Sequence, residues 1–347
     1  MSKVLLLGDL HLGTKNGNIH FAEYFNKFFT DILYPYMTKH KIKHVIQLGD
    51  TFDGRVHLNI RAFSKSKETW FGQLAKDKIT MHMLLGNHDL FRRHSVDVNS
   101  PEAFLCEYTN INIINKPTVI DIDGTKFDVI PWKCDSNADE IDEFIARKDK
   151  SEYLCGHLEL GGFPMYKGEQ CYDKIPTTFD DYTMVFSGHY HTKSKKGNII
   201  YTGIPYEITW SDCDDPKGFH VLDTKTKKLE FVQNPNILYH KIKYNNGCDV
   251  DITILSGKLV KVIVLEKSDP VAFDRFIDSI KLVTPYALDI IENITVTNIM
   301  DIDKNVSIDD TRTIIEQYID QIDTTVDKAS LKKYILDLHS TASMLDD

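Results

Sequence analysis

Five short clusters of residues able to bind metals or move protons punctuate the chain: Gly8-Asp9-Leu10-His11, Gly49-Asp50-Thr51-Phe52-Asp53, Gly86-Asn87-His88-Asp89, Gly156-His157 and Gly188-His189-Tyr190-His191. Their carboxylates, imidazoles and one amide oxygen suit borderline-hard divalent ions such as Mn²⁺, Fe²⁺ or Zn²⁺, and no cluster offers the thiolates of an all-cysteine structural site. Seven candidate ligands exceed the shell of about four to six donors that one ion takes, unless a carboxylate is shared, and Asp50 is the natural bridge. Two ions roughly 3.5–4 Å apart clamp a phosphate and stabilise the attacking and leaving oxygens of an in-line displacement, so the implied chemistry is phosphoester hydrolysis. For any one of the 14 histidines alone a surface or core role is the better reading; five clusters in this order reverse the odds.

Such clusters need rigid supports, and the chain provides them. Short apolar runs ended by glycine, Val4 to Leu7, Val45 to Leu48 and Met81 to Leu85, read as buried strands whose ends carry the first three clusters. Glycine there lets the backbone turn tightly and approach a ligand closely. Between the runs, Phe21, Tyr24, Phe25, Phe28 and Ile32 share one face of a helix expected to stop before Pro35, and Ile60, Phe63, Trp70 and Leu74 mark a second. This alternation predicts a layered α/β domain. Phe127 to Pro131, Tyr153 to Cys155, Met184 to Phe186 and Ile199 to Tyr201 predict a second set of strands.

Beyond about residue 245 the pattern changes to a small β-α-β unit: a strand over 258–265, a helix opened by Pro270 and running to Ile280, and a strand over 288–296. Two amphipathic stripes follow, Ile314, Ile315, Tyr318, Ile319 and Ile322, then Leu331, Tyr334, Ile335, Leu338 and Leu345. The 347 residues carry 41 Lys and Arg against 51 Asp and Glu, a net charge of −10, which excludes a free-standing basic clamp on nucleic acid. Residues 301–347 hold eleven acidic and five basic residues, a net −6, and so most of that excess. Six cysteines without a CxxC pair predict reduced thiols, and the lack of a long apolar run or a signal h-region predicts a cytoplasmic protein with no membrane association.

In this order Gly-Asp-x-His, Gly-Asp-x-x-Asp, Gly-Asn-His-Asp, Gly-His and Gly-His-x-His resemble the calcineurin-like metallophosphoesterase superfamily. Asp9-Leu10-His11-Leu12-Gly13, Ile130-Pro131-Trp132, Thr202-Gly203-Ile204-Pro205 and Asp215-Pro216-Lys217-Gly218-Phe219 narrow the resemblance to SbcD-type nuclease subunits of DNA repair complexes, those of tailed phages above all. The resemblance implies a two-sheet α/β/β/α metallophosphoesterase sandwich over 1–240, a small α/β cap that binds DNA over 241–300, and a helical ATPase-binding tail over 301–347. It implies that Asp9, His11, Asp50 and His191 hold a first Mn²⁺ and Asp50, Asn87, His157 and His189 a second. His88 becomes the catalytic histidine, with Asp89 orienting its ring. Cellular members commonly place a histidine where this chain has Asp53, which cannot be a cationic phosphate contact and would orient His88 or a ligand instead.

The implied activity is a Mn²⁺-dependent DNA exonuclease and endonuclease acting in recombination and repair, as a homodimer with an SbcC-type coiled-coil ATPase, in the host cytoplasm if phage-encoded. No GxxxxGK[ST] run occurs, so ATP use belongs to another chain. The alternatives are a phosphatase or small-molecule phosphodiesterase of the same superfamily, or a non-catalytic scaffold. Protein phosphatases read Asp-Arg-Gly after the second motif and Gly-Asn-His-Glu in the third, where this chain has Asp53-Gly54-Arg55 and Asn87-His88-Asp89. The intact ligand set and His88 oppose a scaffold. Trp132 and Phe163 read as packing residues, and the short basic runs Arg92-Arg93-His94 and Lys193, Lys195, Lys196 as solvated surface or phosphate contacts.

Overall fold

The structure is a computed structural model that describes residues 3–55, 57–166, 169–170 and 177–292, with Lys328, Leu331, Tyr334 and Ile335 beyond them. Residues Met1–Ile291 form one compact unit. The remaining tail positions, and with them most of both amphipathic stripes, lie outside the described residues.

Two six-stranded sheets face each other. The first runs in the order Lys228–Gln233, Gly218–Asp223, Lys3–Leu7, His44–Gln47, Thr80–Leu84, Ile111–Ile114, with its last four strands parallel. The second runs Ser194–Lys196, Ile199–Tyr201, Met184–Ser187, Tyr153–Gly156, Thr125–Ile130, Thr118–Ile122, with its central four parallel. Strands covered on both faces need apolar residues at every position, which is why these read as unbroken apolar runs. In the first strand Val4 and Leu6 point into the core between the sheets, against Phe127, Val129, Tyr153 and Phe186. Leu5 and Leu7 point the other way, onto helical residues Phe25, Phe28, Phe29 and Trp70. On the far side the helix Ala138–Ala146 packs Ile141 and Ile145 against Leu154, Val185 and Tyr201 of the second sheet. The result is the α/β/β/α sandwich expected.

One helical expectation fails. The first helix does not stop before Pro35: Ile19–Lys27 runs through a wide π-type turn, Phe28–Leu33, into Tyr34–His40. Proline lacks an N–H and its ring clashes with the carbonyl four residues back. The wide turn, in which the Tyr34 amide reaches back to Phe29 O, widens the backbone just where that clash would fall. The second helix does the same, Ile60–Ser66, Lys67–Phe71 and Gly72–Lys76. Each wide turn brings two consecutive aromatic residues inward, Phe28 with Phe29 and Trp70 with Phe71, and Phe29 stacks on Trp70 at 4.7 Å. Ile60, expected on the buried face, is exposed.

Residues 239–291 form a third, all-parallel sheet, Tyr239–Asn245, Leu259–Glu266 and Ala287–Ile291, one strand larger than the β-α-β unit expected. The helix Pro270–Leu282 buries Phe273, Ile277 and Ile280 on Val260, Val262 and Val264, a core separate from the other three layers. Asp269 caps that helix by accepting from the amides of Val271 and Ala272 at 3.0 Å.

Candidate metal centre

All five clusters leave the C-terminal ends of parallel strands, three from the first sheet and two from the second, which is where open α/β sheets gather functional side chains. The loops are interlocked by backbone contacts. Leu10 and His11 amides donate to the Asp50 carbonyl at 2.9 and 3.0 Å, and the His189 amide donates to the Asp9 carboxylate at 3.0 Å. The His88 amide donates to Asp50 Oδ1 at 2.7 Å. His11, Asp50 and His189 adopt φ values of 43°, 52° and 82°, a left-handed region that costs an L-residue roughly 1–2 kcal/mol. Such strain concentrates where a site dictates side-chain direction.

Glycine is required before four clusters, at Gly8, Gly49, Gly86 and Gly188, for lack of room. A Cβ on Gly49 would run into the His157 ring, and one on Gly188 into the Asp9 carboxylate. These two close approaches let the ligand clusters of opposite sheets meet.

Among the described residues, beside a third group of His11, Asp53 and His88, two groups of donors converge, each with its atoms within 4.8 Å of one another: Asp9, His11 and His191, and Asp50, His157 and His189. Asp50 Oδ2 lies between them, 3.9 Å from His11 Nε2 and 3.3 Å from His157 Nε2. Nε2 of His11 and of His191 are 3.2 Å apart, and Asn87 Oδ1 is 3.1 Å from both His157 Nε2 and His189 Nδ1. His157 Nδ1 lies 2.7 Å from the Leu48 carbonyl oxygen, which can only accept, so Nδ1 carries a proton, and Nε2 is the nitrogen that faces Asp50 Oδ2 and Asn87 Oδ1.

Electrostatics mark the same place. Burial and the neighbouring Asp50 push the Asp9 carboxyl up to about 6, although His157 and His11 oppose this. Burial would raise Asp50 too, but the imidazoles of His157 and His88 outweigh it and hold that carboxylate well below the usual range. Burial and the adjacent imidazole lower His189 and His191 to about 3, which keeps both rings neutral, whereas the carboxylates beside His11 and His157 outweigh burial and raise them to about 10 and about 9. Buried carboxylates converging on lone-pair nitrogens and an amide oxygen are a donor set that fits divalent cations, with oxygen and nitrogen donors in both groups.

The remaining expected residues fall around this centre. Asp89 is fully buried, and its carboxylate accepts from the amides of Gly86, Thr51 and Phe52 at 2.9, 3.3 and 3.1 Å. It ties the second cluster to the third and does not orient the His88 ring as expected; His88 Nδ1 lies instead 3.0 Å from the Asp53 carbonyl oxygen. Asp53 Oδ1 sits 3.2 Å from His11 Nδ1. Trp132 is half-buried with its ring 5.1 Å from that of His189, and Phe163 packs in the second sheet's outer core. Beside Asp53 opens a cavity of about 260 Å³ bordered by Gly13, Asn16, His57 and Asn59. Arg92, Arg93 and His94 are exposed on the hairpin Leu90–Arg92 and Ser95–Asn99 that follows the third cluster, and Lys193, Lys195 and Lys196 are exposed after the fifth.

Sequence reasoning missed two supports. Gln47, buried, donates its amide to Gly49 O at 2.6 Å and accepts from the Thr51 hydroxyl at 2.9 Å, shaping the second cluster. A polar residue inside the apolar run 45–48 was the signal. Lys217, also buried, donates to the His191 carbonyl at 3.0 Å while paired with Asp212 and Asp215 at 2.9 and 2.7 Å. It lies in one of the motifs quoted above but carried no assigned task.

The calcineurin-like phosphoesterase family model matches residues 2–193, the span that holds all five clusters. This chain belongs to that family. As a calcineurin-like phosphoesterase it is a metal-dependent phosphoesterase, and the buried carboxylates and imidazoles just described are its candidate ligands. It is 32% identical over 346 residues, 98% of this chain and 99% of the relative, to "Exonuclease subunit 1" of Enterobacteria phage T4. Solved structures that align with it include an archaeal phosphodiesterase, at TM-score 0.33 and 13% identity over 67% of this chain and 99% of its own. A Thermotoga maritima protein aligns at TM-score 0.29 and 11% identity over the same shares.

Proposed function

We propose that this calcineurin-like phosphoesterase is a Mn²⁺-dependent DNA exonuclease and endonuclease, the nuclease subunit of a recombination and repair complex. The reading is carried by two convergent donor groups meeting at Asp50 in a chain that aligns over 98% of its length with a phage exonuclease subunit. Asp9, His11, Asp50 and His191 hold the first ion, and Asp50, Asn87, His157 and His189 the second. Divalent ions held by these residues would supply neutralisation of phosphodiester charge and activation of a water for in-line attack at phosphorus.

The chain's own residues do the rest. Asp50 joins the two halves of the centre, and the Leu48 carbonyl, taking the Nδ1 proton, keeps Nε2 of His157 aimed inward. His88, its Nδ1–H held by the Asp53 carbonyl, acts as the imidazolium, giving the second proton, on Nε2, to the leaving oxygen and returning to the neutral ring. The chain is acidic, so affinity for DNA comes from the metal centre and from a partner. That partner is an SbcC-type coiled-coil ATPase bound by the helical tail over 301–347. The cap over 241–300 contacts DNA, and two copies of the chain form the working dimer in the cytoplasm. Among the described residues no helix is long and apolar enough to cross a membrane.

The test offers the chain with Mn²⁺ three substrates: linear duplex DNA, a phosphopeptide and bis-p-nitrophenyl phosphate. Cleavage of DNA and of the diester with no release from the phosphopeptide is expected. Dephosphorylation of the peptide with intact DNA overturns the nuclease assignment in favour of a phosphatase.

A further inference from the structure

Three histidines of the centre share one arrangement. Each has Nδ1 against an acceptor, and two of the three acceptors are backbone carbonyls: Leu48 for His157 at 2.7 Å and Asp53 for His88 at 3.0 Å. The third is a side chain. His11 Nδ1 lies 3.2 Å from Asp53 Oδ1, an ion-pair contact outside hydrogen-bond geometry, while its Nε2 looks toward Asp9, Asp50 and His191 at 4.0, 3.9 and 3.2 Å. A carboxylate accepts and does not donate at neutral pH, so Asp53 favours a proton on His11 Nδ1 and leaves Nε2 as the nitrogen that would face an ion. Asp53 therefore touches two rings at once, one through its side chain and one through its backbone.

We propose that Asp53 is a positioning residue that fixes the tautomer and aim of the ligand His11 through its carboxylate, while its backbone carbonyl fixes the ring of the proton donor His88. This rests on the metal-site reading above and explains why an acid can stand at this position. A cationic phosphate contact is replaced by an outer carboxylate that makes a ligand imidazole a stronger donor, and the two rings it serves are held 4.9 Å apart, edge to face. The backbone half of the arrangement survives any substitution at 53, so side-chain replacement isolates the His11 half.

The experiment measures Mn²⁺ binding by titration calorimetry to the full chain, to Asp53→Ala and to Asp53→Asn, whose amide oxygen can accept the same N–H in nearly the same volume. Asp53→Ala should weaken one of the two ions by about 10–100-fold, the usual cost of losing an outer partner of a ligand histidine, and leave the other unchanged. Asp53→Asn should restore most of the loss. In the Zn²⁺-loaded chain, imidazole ¹⁵N shifts, assigned to His11 by their absence from His11→Gln, should place its proton on Nδ1. Equal affinity in wild type and Asp53→Ala, equal weakening of both ions, or a His11 proton on Nε2 overturns the inference while leaving the metal centre standing. Failure of the wild-type chain to bind Mn²⁺ at all overturns both.

Discussion

Asp50 is the residue on which the centre depends most. It lies 3.3 Å from a histidine of one donor group and 3.9 Å from a histidine of the other, and its remaining oxygen holds the His88 amide. Removing the shared carboxylate leaves each half incomplete. Asp50→Ala is expected to abolish Mn²⁺-dependent hydrolysis while the fold survives; wild-type activity in a metal-titrated Asp50→Ala sample would show that no shared ligand is needed. His88 should behave differently, because its Nδ1 faces the Asp53 carbonyl, its amide holds Asp50, and its ring stands edge to face beside His11 at the margin of the two groups that meet at Asp50. His88→Gln should keep both ions and DNA binding while lowering turnover about 10²–10⁴-fold, the range for losing a positioned acid. Loss of an ion from His88→Gln in calorimetry would make His88 a ligand.

At the scale of elements, the first sheet carries a titration of its own, away from the metal centre. His82, in Thr80–Leu84, and His220, in Gly218–Asp223, are buried, and burial lowers both rings to about 4, with His44 and Lys193 adding to the effect at His82 and His220 respectively. Above about pH 6.5 these rings are neutral in folded and unfolded chains alike. Between 6.5 and 4 the unfolded chain takes up protons that the folded chain refuses, so stability falls as pH falls through that window, by up to roughly 1.4 kcal/mol per pH unit for each ring. Denaturant midpoints of the metal-free protein should therefore drop from pH 6.5 to 4, and less steeply in His82→Leu with His220→Leu. An identical slope in the double variant would place the acid sensitivity elsewhere.

For the whole molecule, Met1–Ile291 is one compact unit containing both sheets, the candidate metal centre and the third sheet, and among the described residues every donor of the convergent groups lies within it. Truncation after residue 300 should thus leave a folded, Mn²⁺-dependent phosphodiesterase. It should also abolish association with an SbcC-type ATPase and any ATP-dependent stimulation on duplex DNA, since the tail's stripes are too short to be stable as isolated helices and need a surface to cover them. Co-elution of the truncated chain with the ATPase would remove the tail from that role.

What the sequence determined by itself is the chemistry and the layers. Metal-binding residue types cannot be exchanged without changing the ion they hold, so the five clusters announced themselves. Strands buried on both faces must be apolar throughout, so the parallel sheets were legible as runs, and Asp269-Pro270 announced the helix of the third sheet. Local rules failed where packing overrode them. Pro35 is a helix breaker until a π-type turn supplies the room, and that turn is selected by the burial of Phe28 and Phe29 against Trp70, contacts from a distant stretch of chain. The tasks of Asp89 and Asp53 were likewise invisible in one dimension. Asp89 sits beside His88 in sequence yet spends both oxygens on amides of two loops, while Asp53, far along the chain from His11, faces its ring. Only the tertiary structure decides this, because hydrogen-bond direction depends on where neighbouring loops bring their donors, and adjacency along the chain does not fix it.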